Sequence, residues 1–116
     1  MRADKDRAVF GAMAETFVFA EVLKHISCSG ENYALYHYRD KDQDEVDLVI
    51  ENGRGALIGL EVKAGAAVQA GDFKGLRKLA GACGDDFRQG LVLYDGKMVL
   101  SFGGRLFAAP ISCLWT

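Results

Sequence analysis

Residues 45–64 restrict the fold most, because their apolar side chains recur with the period of two that a β-hairpin requires. Side chains two positions apart in a strand point to the same face of the sheet. Each arm therefore carries one apolar row, with Val46, Leu48 and Ile50 in the first arm and Ile58, Leu60, Val62 and Ala64 in the second. Asp47, Glu61 and Lys63 fall on the opposite face.

The register of this hairpin decides whether the two acids meet. An antiparallel register keeps both apolar rows on one face only when paired residue numbers sum to an even value. A three-residue loop at residues 53–55, with a glycine in the left-handed conformation, gives the sum 108 and places Asp47 opposite Glu61. A two-residue Asn52–Gly53 turn would place Asp47 opposite Ile58, so we reject it.

Two carboxylates that face each other in this way have Cβ atoms about 4.5–5.5 Å apart, and their charges repel. A cation is therefore expected between Asp47 and Glu61. The ammonium group of Lys63 is one candidate. A divalent cation such as Mg²⁺, which prefers oxygen ligands, is the other.

A helix is predicted over about residues 6–26, which contain no proline. Its apolar residues form two stripes, so the helix is expected to be buried on much of its circumference. Glu15 lies inside one of these stripes, and a buried carboxylate needs a partner because its desolvation is costly. A salt bridge to a lysine, or a helix edge that reaches water, would satisfy it.

The remaining segments predict a mixed sheet. Strands are predicted at residues 33–39, 91–94, 97–100 and 106–109. A hairpin-type turn at Asp95–Gly96 joins the strands at 91–94 and 97–100. A helix is predicted at residues 73–83, capped by Asp72. The order is helix, three strands, helix, then two or three strands. This order is typical of an α/β or α+β domain with helices on the faces of the sheet. The third and fourth strands should form a right-handed parallel crossover.

The composition is that of an ordinary globular protein. The 116 residues, of which 26 % are charged, suit a single domain spanning 1–116. No apolar run approaches the roughly 18–20 residues of a membrane span, and the first residues lack the apolar core of a secretory signal, so we expect a cytoplasmic protein without membrane contact. The formal net charge is −2. Any nucleic-acid binding must therefore depend on a local basic patch.

A second group of acids has the spacing of a calcium loop. Asp40, Asp42 and Asp44, with Glu51 in the twelfth position, match the ligand pattern of an EF-hand. However, the sixth position is Glu45 where that loop needs glycine, and the flanks are predicted strands. A solvated acidic turn is the better interpretation. The chain also lacks a phosphate-binding P-loop motif, and no serine or cysteine nucleophile has an identifiable base.

The arrangement of Glu15 on a helix, Asp47 on the second strand and Glu61-x-Lys63 on the third resembles the PD-(D/E)xK nuclease superfamily. More closely, the chain resembles the DUF4143 domain found at the C-terminus of many prokaryotic AAA-type ATPases. The resembling segments span nearly the whole chain and are GAMAETFVFAEVLKH, LYHYRDKDQDEVDLVIE, LIGLEVKAG, DFKGLRKLA, GLVLYDG and AAPISCLW. The resemblance implies a restriction-endonuclease-like core.

The resemblance also implies roles for the four residues. Asp47 and Glu61 would coordinate one Mg²⁺ or Mn²⁺, with Glu15 assisting directly or through the water shell of the metal. Lys63 would orient or deprotonate the attacking water, or stabilise charge on the phosphate. The implied partners are DNA and an AAA-type ATPase module, in the same chain or in another.

Two functions follow. The leading hypothesis is a metal-dependent endodeoxyribonuclease whose catalytic residues are Glu15, Asp47, Glu61 and Lys63. The alternative is a non-catalytic docking, dimerisation or DNA-sensing module of an ATPase, in which Lys63 neutralises the two acids. The sequence leaves open whether the protein is a homodimer, as many enzymes acting on duplexes are.

Overall fold

A computed structural model describes residues 32–112. Its elements, in chain order, are β1 (Tyr33–Arg39), β2 (Glu45–Asn52), β3 (Leu57–Lys63), a 3₁₀ turn (Ala70–Phe73), α1 (Lys74–Cys83), a second 3₁₀ turn (Gly84–Asp86), β4 (Phe87–Tyr94), β5 (Leu100–Ser101) and β6 (Leu106–Pro110). The helix predicted over residues 6–26, which carries Glu15, lies outside the described residues. None of the helical segments within residues 32–112 is long and apolar enough to cross a membrane.

The described strands form one six-stranded mixed sheet in the order β1-β2-β3-β4-β6-β5. Strands β3 and β4 are parallel, as predicted for a connection through a helix, and β4 and β6 are also parallel. The hairpin predicted across Asp95–Gly96 is wrong, because β5 pairs with β6 instead of β4. Strand β4 is central, with β3 on one side and β6 on the other, so neither of its edges is open to β5. The prediction of a mixed α/β sheet is confirmed.

The hairpin of β2 and β3 has the predicted register. Its pairs, from Leu48 with Leu60 to Glu51 with Leu57, all sum to 108. The N–H of Asn52 donates to the carbonyl of Ala56 at 3.0 Å and closes the loop of residues 53–55. Gly55 has a φ of +86°, the left-handed conformation that glycine adopts without a steric penalty.

A β-bulge in β2 changes the predicted faces of that strand. Opposite β1, the pairing shifts between Tyr36–Val49 and Tyr38–Val46, so that residues 47–48 of β2 face the single residue His37. Such a bulge breaks the alternation of side chains. As a result Val46 does not share a face with Leu48 and Ile50, as the alternation had predicted. It packs with Val49 against the helix, whereas Leu48 packs on the other side of the sheet.

The sheet separates two apolar clusters. The larger lies beneath α1 and its buried residues are Val46, Val49, Leu57, Phe73, Leu76, Leu79, Phe87, Val92, Tyr94, Leu106 and Ala108. The smaller lies on the opposite face and its buried residues are Leu48, Leu60, Leu93, Ala109 and Ile111. Helix α1 approaches β2 so closely at Gly75 that a Cβ atom there would lie 2.0 Å from the carbonyl oxygen of Glu45. Only glycine permits this contact, which fixes the start of β2 against the helix.

Candidate functional site

Asp47 and Glu61 meet where the backbone pairing of β2 and β3 ends. The last backbone pair of this ladder is Leu48 with Leu60. Beyond it, the backbone N–H of Asp47 donates to Oε1 of Glu61 at 3.1 Å, and the backbone N–H of Val62 donates to Oδ2 of Asp47 at 2.8 Å. Each strand therefore anchors the carboxylate of the other. We call Asp47 and Glu61 the acid pair.

The bulge positions the first member of this pair. A bulge locally bends a strand and re-aims the side chains at that point, and such features are frequent beside active sites. Asp47 is one of the two bulged residues, which face His37 on β1. Because of the bulge, the backbone of Asp47 has no regular pairing partner in β1. The side-chain carboxylate of Asp47 accepts the hydrogen bond from the N–H of Val62 on β3.

The electrostatic environment of Asp47 disfavours its charged form. Partial burial raises the pKa of the Asp47 carboxyl above its ordinary value of 3.8, and the negative charge of Glu45 raises it further. The hydrogen bond from Val62 and the charge of His37 oppose this change but do not cancel it. Holding Asp47 ionised at neutral pH is therefore unfavourable, and a nearby cation would relieve this.

Lys63 lies on the same face of β3 as Glu61. Leu57 and Gly59 face α1, and the alternation of the strand places Glu61 and Lys63 on that face too. The ammonium Nζ of Lys63 donates to Oδ2 of Asp72 at 2.6 Å. Lys63 thus forms an ion pair with a residue of the turn before α1.

Asp72 is a functional candidate outside the predicted site. The prediction that it caps α1 is wrong, because the N-cap residue of α1 is Phe73 and Asp72 belongs to the preceding 3₁₀ turn. Its Oδ2 accepts the backbone N–H of Gln69 at 2.7 Å as well as the Lys63 ammonium, at the turn that leads into α1. Burial alone would raise the pKa of the Asp72 carboxyl, but the hydrogen bonds from Lys63 and Gln69 hold it below its usual value. Asp72 thus caps the 3₁₀ turn, of which Gln69 is the N-cap residue. The contact with Lys63 depends on how α1 packs on β3.

The acidic turn, which we define as Asp40, Asp42 and Asp44, forms salt bridges with lysines of α1. The Lys78 ammonium lies 3.0 Å from a carboxylate oxygen of Asp40, 3.0 Å from one of Asp42 and 2.5 Å from one of Asp44. These contacts raise the pKa of Lys78, so that it stays charged. They also overcome the effect of desolvation on Asp40, whose pKa is lowered. The Lys74 ammonium lies 3.6 Å from a second oxygen of Asp44. Lys78 and Lys74 together thus supply the two positive charges that a calcium ion would supply in an EF-hand.

The acid pair has the chemistry that a small divalent cation requires. Carboxylate oxygens are the preferred ligands of Mg²⁺, which is commonly held by one or two carboxylates together with water molecules. In Asp47 and Glu61 the hydrogen bonds hold one oxygen of each carboxylate in a defined position. The raised pKa of Asp47 adds a reason for a cation to bind. Two of the four predicted site residues are thus linked directly, Lys63 shares their face, and Glu15 lies outside the described residues.

Comparison with known families gives one match that covers most of the chain. A family model described as a domain of unknown function (DUF4143) matches residues 10–114. No curated protein matches the chain.

Proposed function

The chain belongs to the DUF4143 family, and from that premise we propose that it is a metal-dependent phosphodiester hydrolase domain with a restriction-endonuclease-like core that acts on DNA. The single observation that carries this proposal is the acid pair, in which Asp47 and Glu61 are anchored by the backbone of opposite strands. The proposed catalytic residues are Glu15, Asp47, Glu61 and Lys63.

Each residue has a proposed task. Asp47 and Glu61 hold Mg²⁺ or Mn²⁺, and Glu15 completes the ligand set. A bound ion of this kind lowers the pKa of a coordinated water and neutralises charge on a phosphate. Lys63, the neighbour of the acid pair on the same face of β3, donates a hydrogen bond from its ammonium group to a phosphate oxygen or to the attacking water. Because the ammonium donates to Asp72 in the structure, a role as a cation fits it better than a role as a base.

A second function is favoured by the ion pair between Lys63 and Asp72. Lys63 is held by Asp72 at 2.6 Å, which suits a fixed structural contact as well as a catalytic one. The net charge of −2 also provides little general attraction for DNA, since phosphate contacts supply most of the affinity of such complexes. In this second reading the domain docks, dimerises or senses DNA for an AAA-type ATPase module and performs no hydrolysis.

Nicking of supercoiled plasmid in the presence of Mg²⁺ or Mn²⁺ tests the first function. We expect nicking by the wild-type chain, none by Asp47→Ala, and full nicking by the matched control Asp42→Ala. Asp42 is a suitable control because its carboxylate belongs to the acidic turn and its side chain is 61 % exposed. Equal nicking by wild type and Asp47→Ala would indicate a contaminating nuclease and would reject the proposal.

Calorimetric titration with Mn²⁺ separates the two functions. The hydrolase predicts binding that is lost in both Asp47→Ala and Glu61→Ala. The non-catalytic module predicts no binding that depends on these two residues.

A further inference from the structure

Asp72 connects Lys63 to the framework of the domain. Its Oδ2 accepts two hydrogen bonds, from the Lys63 ammonium at 2.6 Å and from the backbone N–H of Gln69 at 2.7 Å. The neighbouring residue Phe73 is fully buried beneath α1. The position of the Asp72 carboxylate is therefore set by the helix and its preceding turn, and Asp72 in turn sets the position of the Lys63 ammonium.

Without Asp72, the acid pair is an alternative partner for Lys63, because Glu61 belongs to the same strand. Glu61 and Lys63 are two residues apart on the same face of β3, a separation of about 6.6–6.8 Å along a strand. The flexible four-carbon side chain of lysine can span this distance. An ammonium group held between Asp47 and Glu61 would neutralise them and occupy the position proposed for the divalent cation.

We infer that Asp72 is a positioning residue, which binds the Lys63 ammonium away from the acid pair and so keeps that pair able to bind a divalent cation. This inference rests on the proposed function, because it concerns the affinity of the same acid pair for the same ion. The turn before α1 would thus affect how tightly the acid pair on β2 and β3 binds the cation. Lys63 thereby stays beside the site without filling it.

The test is calorimetric titration of the whole chain with Mn²⁺, using four proteins. These are the wild type, Asp72→Asn, Lys63→Met and the double variant Asp72→Asn/Lys63→Met. Asparagine retains an oxygen that can accept the N–H of Gln69, so the turn is preserved while the negative charge is removed. If the freed ammonium occupies the acid pair for about nine-tenths of the time, Asp72→Asn raises the Kd for Mn²⁺ roughly tenfold.

The double variant distinguishes positioning from a structural effect. Because it has no ammonium group to occupy the acid pair, its Kd should return to within about twofold of the wild-type value. A purely structural role for Asp72 predicts instead that the loss persists. If Asp72→Asn fails to fold, Lys63→Met alone still tests the inference, since its Kd should equal that of the wild type or be lower.

The outcomes separate the two proposals. An unchanged Kd in Asp72→Asn, a loss that persists in the double variant, or a weakened Lys63→Met overturns the inference and leaves the hydrolase proposal in place. Failure of the wild type to bind Mn²⁺ overturns both.

Discussion

The acidic turn precedes the start of β2 and the acid pair follows it, and the protein environment changes the carboxyl pKa in opposite directions in the two groups. In the acidic turn, Lys78 contacts all three carboxylates, and the pKa of Asp40 is lowered. In the acid pair, burial raises the pKa of Asp47. In the first group, Asp40 is stabilised in its charged form. The second has a carboxyl group that is destabilised by being charged.

This difference separates acids that stabilise the fold from acids that are candidates for binding a ligand. A carboxylate cluster that already contacts lysines of its own chain has less need of an external cation, even though it has the spacing of a calcium loop. A buried carboxylate that lowers the stability of the folded protein is retained more readily where it binds a ligand or reacts. The acid pair, and not the acidic turn, is therefore the candidate for cation binding.

The largest expected effect is that of Gly75→Ala, which should disrupt both regions together. A Cβ atom at Gly75 would lie 2.0 Å from the carbonyl oxygen of Glu45, which stands between the acidic turn and the acid pair. Relieving this overlap would move α1 away from β2, with an expected loss of about 3 kcal/mol in the free energy of unfolding. Urea denaturation measures it.

The matched control for that variant is Gly81→Ala in the same helix. Within residues 32–112, no atom outside the backbone of α1 lies within 4 Å of a Cβ placed at Gly81. Alanine there should increase the free energy of unfolding by about 0.5–1 kcal/mol, because it favours the helix. Equal stabilities for the two variants would show that the contact of Gly75 with Glu45 does not hold the two regions in place.

The next effect in size is that of Lys78→Met, which should make the acidic turn behave as a cation site. Removal of the ammonium leaves three carboxylates with oxygen atoms within 4.8 Å of one another, so their repulsion should lower the Tm. Addition of Ca²⁺ should raise the Tm of this variant and leave that of the wild type unchanged, as thermal unfolding with and without Ca²⁺ would show. Lys41→Met, at an exposed position in the same turn, is the control. Its Tm should equal that of the wild type and should not rise when Ca²⁺ is added. A variant as stable as the wild type would mean that Lys78 does not neutralise the turn.

A smaller effect of opposite sign is expected for Asp47→Asn. Because the Asp47 carboxyl is partly buried with a raised pKa, replacing it by a neutral amide should slightly increase the free energy of unfolding at pH 7 in the presence of a chelator. The comparison variant Asp42→Asn loses a contact with Lys78 and should not gain stability. Chemical denaturation of both proteins provides the measurement. A loss of stability in Asp47→Asn would mean that the charge of Asp47 supports the fold.

The smallest expected effect is the pH dependence of the free energy of unfolding that comes from Asp47 and Asp40. The raised pKa of Asp47 means that its protonated form is favoured in the folded state, so its unfavourable contribution develops as the pH rises through the folded pKa and is absent below about pH 3.8. The lowered pKa of Asp40 means that its favourable contribution is present above about pH 3.8 and is lost as the pH falls through the folded pKa.

Asp47→Asn should therefore be more stable than the wild type at pH 7, and Asp40→Asn less stable. The first difference should vanish below about pH 3.8, and the second should decrease only at lower pH, where Asp40 itself becomes protonated. Unfolding measured between pH 3 and pH 7 tests this, and two differences of the same sign would contradict it.

Local patterns were sufficient to predict the hairpin that carries the acid pair. The alternation of apolar residues, together with a glycine at position 55, selected one register, and the observed pairs sum to 108 as predicted. Alternation did not reveal the bulge opposite His37, which moved Val46 to the helix side. A bulge depends on pairing with β1, and that pairing leaves no periodic signal in β2 alone.

The partners of the lysines could not be predicted in the same way. Lys78 on α1 contacts the acidic turn, and Lys63 is bound by Asp72 rather than by the acids next to it. Both contacts join α1 or its preceding turn to a distant part of the chain. Their existence depends on where the helix packs on the sheet.

The sequence by itself therefore determined the mixed sheet, the hairpin register and the meeting of Asp47 with Glu61, because these depend on side-chain periodicity and short loops. Only the tertiary structure decided which acids are neutralised, because a charge acts over distances that the folded backbone sets. Lys78 reaches the acidic turn and Asp72 reaches Lys63 through the packing of α1 against β2 and β3. The same packing leaves Asp47 partly buried with a raised pKa, the property that makes the acid pair a candidate for function.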